Sequence, residues 1–238
     1  MPDFSQFLLA NLAIAAGAVL QAATGLGAGL MIVPLLALIS LQFLPAPVIL
    51  GSMFLSALML WKGRRWVEWD HVPSIFASLT VGSLVAIAVL SRLPLERMNL
   101  VFGLLILAGV AISIAGLRIH LNHPSAAVAG LTSGFMGTLS GFGAPPVALL
   151  YQHHPAPVMR ASLAALYFIT SPLILLLLGW SGHFGMEQVR IGLGLAPGYV
   201  AGYWLARPLA RFIDQGYARP AVLLFSTAAA LLLIARSM

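Results

Sequence analysis

Apolar residues fill this chain in long runs, and the polar positions fall mostly between them. Six runs approach or exceed the ~20 residues that a helix needs to cross the hydrocarbon of a bilayer. They cover roughly 46–62, 72–91, 97–118, 157–180, 187–206 and 218–236. Two more apolar regions, 5–41 and 124–153, are interrupted by glycine and proline, and the first is about two spans long. The pattern predicts an all-α protein.

The interruptions match one another. "TGLGA" at 24–28 corresponds to "SGFGA" at 140–144, and each is followed by an identical "PAPV", at 45–48 and 155–158. Farther on, "VGSLVA" at 81–86 resembles "PGYVAG" at 197–202. Order is preserved at a separation of about 115 residues, the mark of an internal duplication. The reading is one membrane unit, 1–238, made of two halves near 1–118 and 122–238.

Composition places the chain in the membrane. Of 238 residues, 61% are apolar and 8% charged, with a mean hydropathy of +1.00. Soluble domains carry roughly 25% charged residues, so this chain cannot coat a water-facing surface. The start, "MPDFSQFLLANLAIAAG", lacks a basic leader and reads as a first membrane helix that stays attached. The absence of cysteine excludes disulfides, iron–sulfur clusters and thiolate metal sites. The +6 net charge comes from residues scattered singly in short loops, which argues for topology rather than nucleic-acid binding.

Those charges choose between two topologies. If each Gly-rich region crosses once, the 12 lysines and arginines divide six to six. If each doubles back at its glycines, Lys62, Arg64, Arg65, Arg118, Arg160, Arg207, Arg211 and Arg219 share one side, and Arg92, Arg97, Arg190 and Arg236 the other. The second split obeys the positive-inside rule. It gives about five passes per half, an odd number, so the halves are expected to be inverted, with a broken helix or hairpin at each Gly-rich motif. Inverted repeats with broken helices characterise secondary transporters. Both termini are then expected on the periplasmic or external side of a bacterial inner membrane.

Irregular backbone at membrane depth is tolerated where it is buried in protein or faces a wet cavity. The helix that follows each break has leading amides without intrahelical partners, which together with the helix dipole attract an anion. The expected binding residues are therefore Thr24, Gly25, Gly27 and Gly29 in the first half and Ser140, Gly141, Gly143, Ala144 and Pro145 in the second. Pro145 and Pro146 remove two donors that the first half keeps. Ser52 and Ser162 match across the repeat and are candidates for the same cavity, as is Tyr167, whose hydroxyl needs a partner. Arg160 has two readings: pairing with an anionic head group, or snorkelling to lipid phosphate. Close helix packing is the competing reading of the glycines. His120, His123, His153 and His154 read as solvated interfacial residues. No Asp or Glu falls within a span, which argues for an anionic substrate and against cation coupling through a buried carboxylate.

The pairing of "GLGAGLMIVPLL" with "GFMGTLSGFGAPPVALLY", each followed by a Pro-containing loop and a small-Ser pair, resembles the TauE/SafE family, also called the toluene-sulfonate uptake permease family. The resemblance covers essentially the whole chain. It implies a bacterial inner-membrane carrier of sulfite, sulfoacetate, sulfonates or related oxyanions. It matches Gly25, Gly27, Gly143, Pro145 and Pro146 to the family's turns, and Gly51–Ser52 and Ala161–Ser162 to its post-loop pairs. Ala161 departs from the family's usual glycine.

The expected function is alternating-access transport of a small anion, with a passive anion channel as the alternative and a membrane-embedded enzyme as a remote one. No catalytic residue, metal or cofactor is expected. The expected partners are the substrate anion and the lipid bilayer. The coupling ion, H+ or Na+, and homo-oligomerisation are left open.

Overall fold

The computed structural model describes residues 2–24, 28–115, 119–213 and 218–236, with side-chain detail omitted at 23–28, 95, 207 and 209–219. Gly25 and Gly27, and the side chain of Thr24, lie outside the described residues. Ten α-helices and no strands are present among them. They are α1 (Phe4–Thr24), α2 (Ala28–Ile39), α3 (Ala46–Gly63), α4 (Val72–Leu90), α5 (Met98–Ile114), α6 (His123–Ser140), α7 (Ala144–Tyr151), α8 (Ala156–Trp180), α9 (Met186–Ile213) and α10 (Ala218–Ala235). Four segments are long and apolar enough to cross a bilayer: Phe4–Ala22, Ala46–Trp66, Val72–Leu90 and Ala156–Trp180. Met98–Ile114 and Pro220–Ala235 are apolar but shorter.

The helix starts follow local chemistry. Proline occupies the first turn of α3, α4, α6, α7 and α8, where its missing N–H costs nothing. Asn122 and Ser125 form a reciprocal capping box at α6, with Asn122 Oδ1 accepting from the Ser125 amide at 2.9 Å.

Glycines set the helix pairing. On α9, Gly194, Gly198 and Gly202 face α1, where an added Cβ would press on Phe7, Asn11 and Ala15. Between α4 and α6, a Cβ on Gly130 would overlap the Ile75 carbonyl, and one on Gly134 the Leu79 carbonyl. Backbones approach this closely only where side chains are absent, the packing that replaces the hydrophobic effect between helices in lipid. Residue numbers rise together along both pairs, so α1 runs parallel to α9 and α4 parallel to α6. Gly103 of α5 meets Ala230 and Ile234 near the end of α10, so those two helices run antiparallel.

The first interrupted region has its two flanking ends in contact. Phe7, one turn into α1, meets Phe43, just beyond α2, edge to face with ring centroids 5.5 Å apart. The ends of the second region share neighbours. His71 at the start of α4 lies 5.6 Å from His123 at the start of α6, and its Nδ1 is 3.4 Å from Glu68, which also meets His154 beyond α7. One end of the bundle therefore collects the α3–α4 loop, the start of α6 and the α7–α8 loop.

Candidate functional site

The break between α6 and α7 is built by hydrogen bonds to its own backbone. Gly141 ends α6 in the left-handed region (φ 77°, ψ 8°), its N–H donating to the Gly137 carbonyl at 2.8 Å. The Ser140 hydroxyl donates to the Met136 carbonyl at 2.8 Å and accepts from the Phe142 amide at 3.3 Å. Across the turn, the Ser133 hydroxyl donates to the Gly143 carbonyl at 2.5 Å. Phe142 is 2% exposed and its ring fills the space beside Gly29 and Gly109. The close approach that Gly29, Gly141 and Gly143 permit is thus made by protein atoms, of Phe142, Val48 and Ser133 respectively.

Beside this turn lies a cavity of about 110 Å3, far above the ~10–15 Å3 that one water occupies on the same measure. Its walls come from α2 (Gly29, Ile32, Val33), α3 (Val48, Ser52, Ser56), the turn itself (Gly141, Phe142, Gly143, Ala144) and α8 (Ala164, Tyr167, Thr170, Ser171, Ile174), with Gln21, Ser133 and Tyr199 among the rest. None of the described lining residues is an acid, a base or a histidine.

Most hydroxyls in the wall have committed their protons. Ser52 donates to the Ile49 carbonyl, Ser171 to Tyr167, Ser133 to Gly143 and Tyr199 to Val48. Two have not. Thr170 is 1% exposed and its Oγ1 has no hydrogen-bond partner; the Tyr167 hydroxyl is buried against the Ser133 hydroxyl, whose own proton goes to the Gly143 carbonyl. Helical threonines usually settle on the carbonyl four residues back, as Thr80, Thr132 and Thr227 do here. The amides of Gly143 and Ala144, at the start of α7, precede the first intrahelical bond. The turn and α8 together border a hollow whose described lining residues are uncharged.

The residues expected from the sequence divide. Gly29, Ser52, Gly141, Gly143, Ala144 and Tyr167 line the cavity. Ser140, Pro145, Arg160 and Ser162 are not among its lining residues. Ser140 is spent on holding the turn, and Pro145 is buried against Gly109. Ser162 is 1% exposed and accepts the Glu68 amide at 3.0 Å, fastening α8 to the α3–α4 loop. Arg160 shares the helical stripe of Ala164, Tyr167, Ser171 and Ile174, but it sits roughly 15 Å along the axis from Thr170 at 1.5 Å per residue. His154 departs from the solvated reading: its Nε2 is 3.1 Å from Glu68 Oε2, because the fold brings two loops together.

A family model described as sulfite exporter TauE/SafE matches residues 9–233. The chain belongs to this family. Comparison with the curated proteins and with the solved structures found no match.

Membership makes this a membrane transport protein, and it directs attention to what the sequence reading of a TauE/SafE chain overlooked. Ser133, Thr170 and Ser171 all line the cavity. The available signal was "ITSPL" at 169–173, two adjacent hydroxyls and a proline inside an otherwise apolar span. Ser52 and Ser56, four residues apart on α3, were a second signal, since that spacing puts both on one helical face.

Proposed function

We propose that this TauE/SafE chain is a secondary carrier of a small anion, of the sulfur oxyanion or sulfonate class, working by alternating access. The chain is read as one unit of two inverted halves, about 1–118 and 122–238, each with a broken helix at its Gly-rich motif. The parallel pairing of α1 with α9 and of α4 with α6 supports inversion. In a chain of alternating passes, the first helix of one half runs parallel to the fourth of the other only if the halves point in opposite directions. The positive-inside rule then assigns the end bearing Lys62, Arg64 and Arg65 to the cytoplasm of a bacterial inner membrane and both termini to the exterior.

One observation carries the site: Ser52, Ser56, Ser133, Tyr167, Thr170 and Ser171 border one hollow together with the start of α7, and no described lining residue is charged. The leading amides of α7 and the hydroxyl-bearing residues around them are the donors such a hollow offers to an anion. The anion binds there, and movement of one half against the other changes the side from which the hollow is reached.

The test is counterflow in proteoliposomes loaded with unlabelled sulfite. A carrier transiently accumulates labelled sulfite inside above its external concentration, by exchange with the unlabelled load. Flux that follows membrane potential alone, without exchange, overturns the carrier reading in favour of a passive channel.

A further inference from the structure

We infer that the end of the seam between α3 and α9 holds the head group of an anionic phospholipid, with Lys62 as the residue that meets its phosphate. The site is separate from the hollow beside the α6–α7 turn and stands or falls without it.

α3 and α9 pack closely along their lengths. A Cβ on Gly51 would press on Tyr199, and one on Gly192 on Leu50. The Tyr199 and Tyr203 hydroxyls donate to the carbonyls of Val48 and Leu58, at 3.3 Å each. Lys62, in the last turn of α3, closes this seam. Its Nζ lies 4.9 Å from the ring centroid of Trp204 and 5.6 Å from that of Tyr203, both within cation–π range. The two rings of α9 hold the ammonium in place, and its N–H donors stay open to an oxygen. Arg64 and Arg65 follow in the next turn, with Arg65 Cζ 5.4 Å from the Trp66 ring centroid. Among the described residues no carboxylate pairs with these three cations, and Glu68, the nearest acid in sequence, meets His71 and His154 instead.

The surroundings choose a lipid over a soluble anion. Trp61, Trp66, Trp69 and Trp204 are 44–74% exposed, and they make up four of the five tryptophans in the chain. Such amphipathic rings settle at the level of the head groups. Phe54 lies seven residues before Trp61, and Leu193 eleven before Trp204, spacings that keep each pair on one helical face. Both are exposed and offer acyl chains an apolar track away from the cations. The opposite end of the bundle lacks this combination: Arg97 follows Glu96, Arg190 is one turn from Glu187, and the tryptophan is Trp180 alone. A zwitterionic lipid carries the same phosphate, but its quaternary ammonium is repelled by three cations, so the site favours a net negative head group.

The experiment is native mass spectrometry of the full chain, released from micelles that carry phosphatidylglycerol and phosphatidylcholine with identical acyl chains in equal amounts. Phosphatidylglycerol is expected to be retained at least about fivefold in preference, the discrimination that one basic side chain near the surface supplies. Lys62→Gln is expected to abolish most of that preference, whereas Lys62→Arg and the far-end variant Arg92→Gln keep it. Equal retention of the two lipids, or retention of neither, overturns the site. So does a preference that survives Lys62→Gln, or one that is lost equally in Lys62→Arg or Arg92→Gln. Excess glycerol 1-phosphate, which has the phosphate without acyl chains, is expected to leave bound phosphatidylglycerol in place; displacement assigns the cations to a soluble phosphate and overturns the lipid.

Discussion

The hydroxyl of Ser226 lies 2.6 Å from the carbonyl of Leu30 and 2.6 Å from that of Val222 in its own helix, sharing one proton between them and joining α10 to α2 at a fully buried position. The bond answers a local defect. Leu30 is four residues before Pro34, which has no N–H to return to it. In lipid an unanswered carbonyl is expensive, and the second half of the chain supplies the missing donor.

Ser226→Ala should therefore destabilise the protein by about 1–3 kcal/mol, the usual loss when a buried partner is left unsatisfied. In a Pro34→Ala background the helix can provide its own donor, and the same serine substitution should cost clearly less. Thermal unfolding of the four combinations measures the coupling. Equal costs in both backgrounds would falsify the link between Ser226 and the proline.

Asn11 performs a related service for α9. Its Nδ2 donates to the Gly194 carbonyl at 2.9 Å, and its Oδ1 accepts the Gly198 amide at 2.7 Å. Those two backbone groups would bond each other in an uninterrupted helix, so a side chain from α1 engages both partners of that rung, next to Pro197. Asn11→Leu is expected to lower stability by about 1–3 kcal/mol and to speed hydrogen exchange at Gly198. Wild-type exchange at that amide in the variant would mean that α9 closes without help.

Thr170→Val should separate stability from function. The buried hydroxyl has no partner in the ligand-free protein, so removing it should leave the melting temperature unchanged or slightly raised. Stabilisation by added substrate, which follows mass action, should fall. Thr80→Val is the contrast: Thr80 Oγ1 bonds the Phe76 carbonyl at 2.8 Å and lies outside the cavity, so its substrate-induced shift should be preserved. A clear loss of ligand-free stability in Thr170→Val would assign that hydroxyl a structural duty instead.

Two glycines isolate the cost of the α6–α7 turn. Gly141 and Gly182 have nearly equal φ values, 77° and 79°, but a Cβ at Gly141 would overlap Val48 whereas one at Gly182 meets nothing within 4 Å. Gly182→Ala should cost only left-handed backbone strain, about 1–2 kcal/mol. Gly141→Ala should cost more and should impair transport as well. Comparable losses in the two variants, read by thermal unfolding, would remove Val48 from the account.

Much of this was legible along the chain. The apolar stretches at 46–62, 72–91 and 157–180 became α3 (Ala46–Gly63), α4 (Val72–Leu90) and α8 (Ala156–Trp180). The interruption near residue 140 was visible in "SGFGAPP", because a left-handed glycine and first-turn prolines are local requirements. Six of the expected site residues line one cavity, for the same local reason: those at 141, 143 and 144 belong to the break itself. Ser162 illustrates the limit. It matched Ser52 across the repeat, yet it fastens a loop while Ser52 lines the hollow, since a sequence match fixes position in a helix and not which neighbour the residue meets.

By itself the sequence determined that this chain lives in a bilayer, where its helices run, where two of its apolar regions are interrupted, and which family it belongs to. Run length, composition and turn chemistry act over a few residues, so they survive in one dimension. Only the tertiary structure decided that Thr170 and Tyr167 meet the turn at Gly141–Ala144, that Asn11 joins the ladder of α9, and that Ser226 answers Leu30. Apolar helix faces look alike to lipid, and the choice among them is made where missing side chains let backbones touch and stranded polar groups find partners far away in the chain.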